Sequence, residues 1–313
     1  MKQFFSVKDL PNLPTAVQEA LAMKKNPFAD EALGKHKTLG LVFFNPSLRT
    51  RLSTQKAAYN LGMKVLVINT ESDGWKLEMQ EGAVMDIDKA EHIKDALMVM
   101  GQYCDVIGVR TFPTLQDREK DYQEIILKTC LKYAKVPLIS LESSTLHPLQ
   151  SLADIMAIEE TKTQARPKVV LSWTPHPKAL PQAVPNSFAE WAIAANYDLV
   201  ITHPKGYELP TEFVGNTPVE YDQNKALAGA DFVYAKNWSS YENYGKILYT
   251  QRDWTINSAK MALTNNGKLM HCLPIRRNVE VTDEVLDSPN SLIQLQAQNR
   301  VFAAQWVLKQ MIK

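Results

Sequence analysis

The sequence predicts an α/β protein of two domains, each a parallel sheet flanked by helices. The chain has 313 residues, about twice the length of a typical domain. Short apolar runs such as residues 40–44 alternate with segments of helical periodicity. This alternation breaks after residue 140 and starts again at residue 168. Short apolar strands separated by helices are typical of parallel sheets that are covered on both faces, and the break predicts a second domain.

Strands and helices alternate regularly in the first half of the chain. Pro46 ends the first strand, and the following helix ends near Gly62. The predicted strands are residues 40–44, 64–68, 106–110 and 136–140, and the predicted helices are residues 15–25, 47–60, 86–100 and 121–133. We therefore expect a first domain of residues 1–146.

A long helix over residues 151–161, opened by residues 147–150, is interpreted as the crossing to the second domain, residues 147–298. The strands predicted there are residues 168–173, 199–203, 231–235 and 268–273, with a helix after Ser187. The last helix, residues 299–313, has apolar residues at helical spacing, which favours packing over cofactor binding. We expect it to pack back on the first domain.

Composition excludes several classes of function. The net charge is +1 and no basic run occurs, which argues against binding to nucleic acid or to a membrane surface. Three widely spaced cysteines form neither a disulfide framework nor a metal knuckle. The sequence has no signal peptide or membrane span, so a cytoplasmic location is expected. It also has no dinucleotide-binding glycine motif, Walker loop, zinc motif or nucleophile elbow, which argues against nicotinamide and ATP chemistry.

Residues 43–50 predict an anion site. A strand that turns directly into a helix leaves unpaired backbone N–H groups at the positive end of the helix dipole. Ser47 and Thr50 add hydroxyl donors, and Arg49 adds a guanidinium suited to phosphate oxygens. The alternative is a serine N-cap followed by two solvated arginines, Arg49 and Arg51.

Other polar residues collect at the carboxyl ends of the predicted strands, where open α/β sheets bind ligands. They are Arg110, Glu142, His147, Gln150, His176, Lys178, Lys236, Cys272, Arg276 and Arg277. Such a lining suits a small, multiply anionic substrate held between the domains. Each residue has a simpler interpretation: Arg110 could pair with a carboxylate, His147 could be a satisfied buried imidazole, and Cys272 could be an inert strand cysteine.

Four motifs in this order resemble the aspartate and ornithine carbamoyltransferases. F-x-x-x-S-x-R-T stands at residues 43–50, H-P-x-Q at 147–150, H-C-L-P at 271–274 and N-R at 299–300. The resemblance covers nearly the whole chain. It implies the carbamoyltransferase fold, no cofactor or metal, and transfer of a carbamoyl group from carbamoyl phosphate to an amine.

The departures from the family pattern point to its N-acylornithine branch, which acts in arginine biosynthesis. Leu48 replaces a small or hydroxyl residue, residues 234–238 replace the S-M-G loop of the ornithine enzymes, and residues 182–183 replace an asparagine pair. Leu48, Trp75, residues 236–238 and residues 272–278 instead resemble the N-acetylornithine and N-succinylornithine enzymes. Gln296 replaces the Glu that often stands in the closing motif.

The resemblance implies a role for each matching residue. Arg110, His147, Cys272 and Arg300 would act at the reacting carbonyl. The carbamoyl phosphate site would comprise Ser47, Leu48, Arg49, Thr50, Trp75, Arg110, His147, Gln150, Cys272, Leu273 and Arg300. The acylornithine site would comprise Glu142, His176, Lys178, Lys236, Arg276 and Ala90. Trp75 would be lent to a neighbouring subunit, which implies a homotrimer.

The acyl group is predicted from two positions. Acetyl enzymes tend to carry Glu where this chain has Ala90, and a carboxylate there would repel the extra carboxylate of a succinyl group. Glu280 stands where acetyl enzymes often carry Lys. N-succinyl-L-ornithine is therefore the favoured acceptor and N-acetyl-L-ornithine the alternative. An anion-binding paralogue without catalytic activity is the alternative from another functional class.

Overall fold

The computed structural model describes residues 1–70, 72–86 and 88–313. The chain divides into two compact units. Unit 1 comprises residues 1–113, 120–149 and 300–313, and unit 2 comprises residues 114–119 and 150–299. Two α/β domains are thus observed, whereas the ligands assigned to them stay predictions. Among the described residues, no helix has the length and apolar character needed to cross a bilayer.

Unit 1 contains a parallel sheet of five described strands in the order β1-β7-β6-β2-β3, and a short pair, β4-β5. The strands are β1 (Gln3–Phe4), β2 (Thr38–Phe43), β3 (Lys64–Asn69), β4 (Leu77–Glu78), β5 (Glu91–His92), β6 (Val106–Arg110) and β7 (Leu138–Glu142). The helices are α1 (Leu13–Lys25), α2 (Arg49–Asn60), α3 (Ile93–Tyr103), α4 (Arg118–Tyr122, shared with unit 2) and α5 (Ile125–Tyr133).

The central strands of this sheet are apolar because both of their faces are covered. Every residue of β6 and β7 is buried, whereas the edge strand β3 leaves Leu66 exposed. Gly62 follows α2 at φ 77°, and a Cβ there would lie 2.3 Å from the carbonyl oxygen of Glu31. Only glycine therefore fits this return to the sheet.

Two helix predictions in unit 1 were wrong in detail. The helix predicted to begin at Asp86 begins at Ile93, after β5; Ile87 lies outside the described residues. The helix predicted over residues 121–133 is interrupted, because Glu124 adopts the left-handed backbone conformation at φ 52° between α4 and α5. Periodicity alone does not reveal either break.

Unit 2 holds a second parallel sheet, whose described strands follow the order β10-β9-β8-β11-β12. Its strands are β8 (Lys168–Trp173), β9 (Asp198–Thr202), β10 (Val219–Glu220), β11 (Phe232–Lys236) and β12 (Lys268–Met270). Helix α6 (Pro148–Thr161) opens the unit, and the others are α7 (Ala183–Ala194), α8 (Thr211–Val214), α9 (Gln223–Leu227), α10 (Ser258–Met261) and α11 (Asp283–Leu286). Helix α7 begins before Asn186 and Ser187, not after them.

The last helix, α12 (Ile293–Ile312), begins six residues earlier than predicted, so Asn299 and Arg300 lie inside it. Its part from Arg300 onward belongs to unit 1. There the side chain of Gln305 accepts a hydrogen bond from Asn60 at 2.8 Å, and the Trp306 indole donates to Glu19 at 2.7 Å. These bonds attach the end of the chain to α1 and α2.

The described strands of each five-stranded sheet have one topological switch point, where neighbouring strands lead to connections on opposite sides. In unit 1 it lies between β2 and β6, with Phe43 paired to Arg110. In unit 2 it lies between β8 and β11, with Trp173 paired to Lys236. Ligands of open α/β sheets bind at such points. Several predicted site residues stand at the ends of these strands: the 47–50 turn follows β2, Arg110 ends β6, His176 follows β8 and Lys236 ends β11.

Candidate functional site

Arg110 ends β6 and joins it to the turn that follows β2. Its Nη1 donates to the carbonyl oxygen of Asn45 at 3.0 Å and also to that of Pro46. The guanidinium lies over the ring of Phe112, 4.1 Å from its centre. Arg110 therefore shapes the 45–50 turn as well as adding charge to it. The strand pattern located Arg110, but these carbonyl partners were not predicted.

The other edge of the Arg110 guanidinium binds Glu142. Nη2 and Nε donate to Glu142 Oε2 at 3.0 and 3.2 Å, and both side chains are about nine-tenths buried. The carboxylate pairing considered for Arg110 is thus present. Glu142 itself lies in unit 1. The four cationic or imidazole residues that were predicted, like Glu142, to bind the acylornithine lie in unit 2.

His147 precedes α6 and is buried beside this pair. Its Nε2 lies 3.7 Å from Glu142 Oε2, too far for a hydrogen bond, and Nδ1 has no hydrogen-bond partner among the described residues. Burial, and then the charges of Arg300, Arg110 and Arg49, lower the pKa of His147 well below its ordinary value. The imidazole is therefore neutral at neutral pH and can donate a hydrogen bond without carrying charge.

This lowered pKa predicts a pH dependence of stability. Below the unfolded pKa near 6.5, the unfolded chain takes up a proton at His147 that the folded chain does not. The free energy of unfolding therefore falls as the pH drops from 6.5, by about 1.4 kcal/mol per unit from this group. The unfolding free energies of the wild type and of His147→Gln are measured by denaturant unfolding at pH 5.0, 5.5 and 6.0. The slope of unfolding free energy against pH is expected to be correspondingly smaller in His147→Gln. Equal slopes in the two proteins would contradict the lowered pKa.

The beginning of α2 has no side-chain cap. Leu48, not Ser47, is the N-cap residue, and its side chain is exposed and makes no capping hydrogen bond. Thr50 is buried, and its hydroxyl accepts a hydrogen bond from Arg300 Nη2 at 2.7 Å. Residues 47–50 are thus accompanied in unit 1 by Arg110 and Arg300. Together they form a cationic group around the amino end of a helix.

Glu124 holds the segment that leads to His147 and was not among the residues predicted from the sequence. Its Oε1 accepts hydrogen bonds from the Ser143 hydroxyl at 2.6 Å and from the Thr145 amide and hydroxyl at 2.9 and 2.7 Å. Oε2 lies 3.4 Å from the Ser144 amide nitrogen. One carboxylate thus fixes the backbone between Glu142 and His147. A run of three hydroxyl residues, 143–145, was the only signal of such an acceptor in the sequence.

Three residues predicted to bind the acylornithine lie at the switch point of unit 2. His176 and Lys178 follow β8, and Lys236 ends β11. The Lys178 amide donates to His176 Nδ1 at 3.0 Å, and burial lowers the pKa of His176. Lys178 is exposed, whereas Lys236 is buried and donates to the carbonyl oxygen of Asn237 at 3.0 Å. The charged group of Lys236 is thus at the switch point itself.

Glu280 is a buried carboxylate beside these residues. It accepts a hydrogen bond from the Arg276 amide at 2.8 Å, and its Oε1 lies 3.4 Å from His271 Nε2. Burial raises the pKa of Glu280, but its bonds to His271 and Arg276 and the charge of Lys236 outweigh burial and lower it. Glu280 therefore stays ionised at neutral pH. It fixes the turn that carries the exposed side chain of Arg276.

The remaining residues predicted to bind carbamoyl phosphate, and Ala90, predicted to bind the acylornithine, are divided between the two units. Gln150, Cys272 and Leu273 lie in unit 2, with Gln150 in the first turn of α6 and the other two just after β12. In unit 1, Trp75 is exposed and its indole donates to Glu91 at 2.8 Å. Ala90 is exposed in the same region, and its amide donates to the carbonyl oxygen of Lys76 at 3.2 Å. The structure thus places most of the predicted residues near the two five-stranded sheets, and Trp75 and Ala90 beside the short β4-β5 pair.

Two family models match the chain. Residues 2–160 match the aspartate/ornithine carbamoyltransferase carbamoyl-P binding domain. Residues 181–311 match the Asp/Orn binding domain of the same family. These ranges cover most of the chain and contain Arg110 and Lys236, whereas β8 and the residues just after it lie between the two ranges.

Relatives match along the full length. N-succinylornithine carbamoyltransferase of Bacteroides thetaiotaomicron is 56% identical over 315 residues, covering 100% of this chain and 99% of the relative. N-acetylornithine carbamoyltransferase of Xanthomonas axonopodis pv. citri is 39% identical, covering 96% of this chain and 94% of the relative. A crystal structure of a mutant N-acetyl-L-ornithine transcarbamylase with carbamyl phosphate and N-succinyl-L-norvaline is 38% identical, with a TM-score of 0.92 over 99% of this chain and 100% of that chain.

Proposed function

Since the chain belongs to the aspartate/ornithine carbamoyltransferase family, we propose that it carbamoylates the δ-amine of N-succinyl-L-ornithine. Carbamoyl phosphate is the donor, and N-succinyl-L-citrulline and phosphate are the products. The observation that carries the proposal is the cationic group of unit 1, in which Arg110 and Arg300 accompany an uncapped helix start. The proposal places the enzyme in arginine biosynthesis and in the cytoplasm.

In this proposal, the phosphate of the donor binds residues 47–50. The uncapped backbone N–H groups of α2 and the guanidinium of Arg49 would donate to its oxygens, and Arg110 would reach both the phosphate and the carbonyl oxygen. His147 and Arg300 would polarise the carbonyl. Because His147 is neutral, it would act there as a hydrogen-bond donor and not as a general acid.

The reaction needs little else from side chains. The attacking δ-amine resembles a lysine amine, with a reference pKa of about 10.4, so it must lose a proton before or during attack. The departing phosphate is an available acceptor for that proton. The C–N bond forms as the C–O bond to phosphate breaks, and no covalent intermediate with the protein is required. Positioning and charge stabilisation would supply most of the rate acceleration.

Four of the residues assigned to the acceptor lie in unit 2, and the other two, Glu142 and Ala90, lie in unit 1. His176, Lys178, Lys236 and Arg276 present cationic or imidazole groups, which suit the carboxylates of an N-acylated ornithine. A succinyl group adds one more carboxylate than an acetyl group does. The two lysines can pair this extra charge, and the higher identity to the N-succinylornithine enzyme than to the N-acetylornithine enzyme agrees with it.

Parallel assays of purified protein would test the proposal. Carbamoyl phosphate is supplied with N-succinyl-, N-acetyl- or free L-ornithine, and each citrulline product is measured. Turnover is expected to be fastest with the succinyl compound. Faster turnover with N-acetyl-L-ornithine would replace the acyl assignment, and turnover with free ornithine alone would overturn the branch. Binding of carbamoyl phosphate without any turnover would favour the non-catalytic paralogue.

Ala90→Glu tests the acyl assignment. The substitution adds a carboxylate that would repel the succinyl carboxylate, and two charges 4 Å apart in water interact by about 1 kcal/mol. The ratio of kcat/KM for succinyl over acetyl substrate is therefore expected to fall about fivefold. Ala83→Glu, in the same loop, adds the same charge elsewhere and serves as control. An unchanged ratio in Ala90→Glu would remove Ala90 from the acyl site.

A homotrimer is part of the proposal, with Trp75 contributed to a neighbouring subunit. Apolar side chains that a second copy could cover are exposed on unit 1: Leu48, Leu52, Tyr59, Leu66, Trp75 and Val84. Sedimentation equilibrium is expected to give three times the chain mass. Mixing an inactive Arg49→Ala chain with an inactive Trp75→Ala chain should restore part of the activity if sites are shared. No recovery in mixed trimers would contradict the sharing.

A further inference from the structure

Asp154 is the centre of a buried polar network in unit 2. This residue of α6 is fully buried and accepts three hydrogen bonds from uncharged side chains. Gln150 Nε2 and Gln296 Nε2 donate to Oδ1 at 2.7 and 2.8 Å, and the Tyr234 hydroxyl donates to Oδ2 at 2.9 Å. Because a carboxylate only accepts, these contacts fix which end of each amide faces it. Both glutamines turn their nitrogen to Asp154.

Gln296 connects this network to the segment after β12. Its Oε1 accepts a hydrogen bond from the His271 amide at 2.9 Å. The His271 ring then holds the next part of the backbone, since its Nδ1 accepts from the Leu273 amide at 2.8 Å. The two amides that flank Cys272 are therefore tied by side chains. These two bonds hold the backbone of residues 271–273 in place.

We propose that Asp154 and Gln296 are positioning residues that set the selectivity for the amine of carbamoyl phosphate. The inference rests on the proposed function, in which Gln150 and the backbone of residues 272–273 bind that amine. A carbamoyl NH₂ has two hydrogens and needs two acceptors. Asp154 holds the nitrogen of the Gln150 amide, so the opposite end of that amide is the oxygen that the proposed function uses as one acceptor, and Gln296 fixes the backbone that provides the other. An acyl phosphate with a methyl group in place of the amine gains nothing from this arrangement.

The glutamine at position 296 matters for this role. A glutamate there would place a second carboxylate within hydrogen-bond distance of Asp154, and two such groups would share one proton. At low pH the protonated form could still donate to Asp154 as the amide does. At higher pH both groups would ionise and repel each other, which would displace the side chain at position 296 and with it the acceptor of the His271 amide. Gln296→Glu should therefore make amine recognition depend on pH.

Calorimetric binding of three ligands tests the inference without requiring turnover. Carbamoyl phosphate, acetyl phosphate and inorganic phosphate are titrated into the wild type, Asp154→Asn and Gln296→Glu at pH 6 and pH 8. The matched control is Gln305→Glu, which buries a carboxylate on the same helix but in unit 1, where Gln305 bonds to Asn60 and Pro27. Thermal unfolding of each variant verifies that it is folded.

The wild type and Gln305→Glu are expected to prefer carbamoyl over acetyl phosphate by about tenfold or more, the value of one to two hydrogen bonds. In Asp154→Asn, this preference should fall to about threefold or less at both pH values. In Gln296→Glu, it should fall to about threefold or less at pH 8 and recover in part at pH 6. Affinity for inorganic phosphate should not change. If both variants keep the wild-type preference for carbamoyl over acetyl phosphate, the inference is overturned and the proposed function is not. The same holds if the wild type binds phosphate but shows no such preference. Failure of the wild type to bind phosphate would overturn the proposed function as well.

Discussion

Arg49→Ala is expected to lower kcat/KM by about 10³-fold while the protein stays folded. Arg49 stands in the first turn of α2, where the proposed phosphate has backbone N–H groups on one side and a guanidinium on the other. Removing one donor that stabilises developing charge typically costs 10²–10³-fold in rate, and this donor also carries a full charge. The measurement is steady-state kinetics with carbamoyl phosphate varied, together with thermal unfolding.

Arg51→Ala is the matched control for this experiment. Arg51 lies two residues further along the same helix, carries the same charge and is exposed. Its loss changes net charge and helix composition by the same amount and should leave kcat/KM within about twofold. If Arg49→Ala kept near-normal turnover, or if both variants lost activity equally, Arg49 would not be the phosphate anchor.

Arg110→Met is expected to abolish turnover and to destabilise the protein as well. The substitution leaves the Glu142 carboxylate buried without its guanidinium partner and leaves two carbonyl groups of the 45–46 turn without their donor. Breaking a buried ion pair from one side typically costs about 3–5 kcal/mol of unfolding free energy. Chemical denaturation at neutral pH measures this loss.

The double variant Arg110→Met/Glu142→Gln separates stability from catalysis. The second substitution removes the uncompensated charge, so roughly half of the lost unfolding free energy should return. Turnover should not return, because the guanidinium proposed to contact the donor is still missing. Recovery of activity along with stability would mean that Arg110 acts only as the counter-ion of Glu142.

Features that depend on local pattern could be predicted from the sequence. The strands β2, β6 and β8 are short apolar runs, and the polar residues after them follow from the rule that ligands bind at carboxyl ends of strands. Arg110, Lys236 and the 47–50 turn were located in this way. Their assignment to substrates came instead from the motifs shared with a family.

Features that depend on contacts between distant residues could not be predicted. Asp154 and Gln296 are 142 positions apart in the chain, and Arg110 and Glu142 are 32 apart. No periodicity reports such pairs, because each partner alone looks like an ordinary polar residue. The early start predicted for α3 has a similar cause, since Glu91 and His92 are compatible with a helix by themselves but pair with β4, which lies more than ten residues earlier in the chain.

The left-handed conformation of Glu124 narrows the choices open to protein engineering. A survey for strained backbone would select this position for glycine, which would remove about 1 kcal/mol or more of strain. The same change would delete the carboxylate that holds residues 143–145, and hydrogen bonds to a charged group contribute about 1.5–3 kcal/mol each. The strained backbone at Glu124 thus positions a carboxylate that stabilises residues 143–145. Thermostabilised versions of this enzyme should retain Glu124.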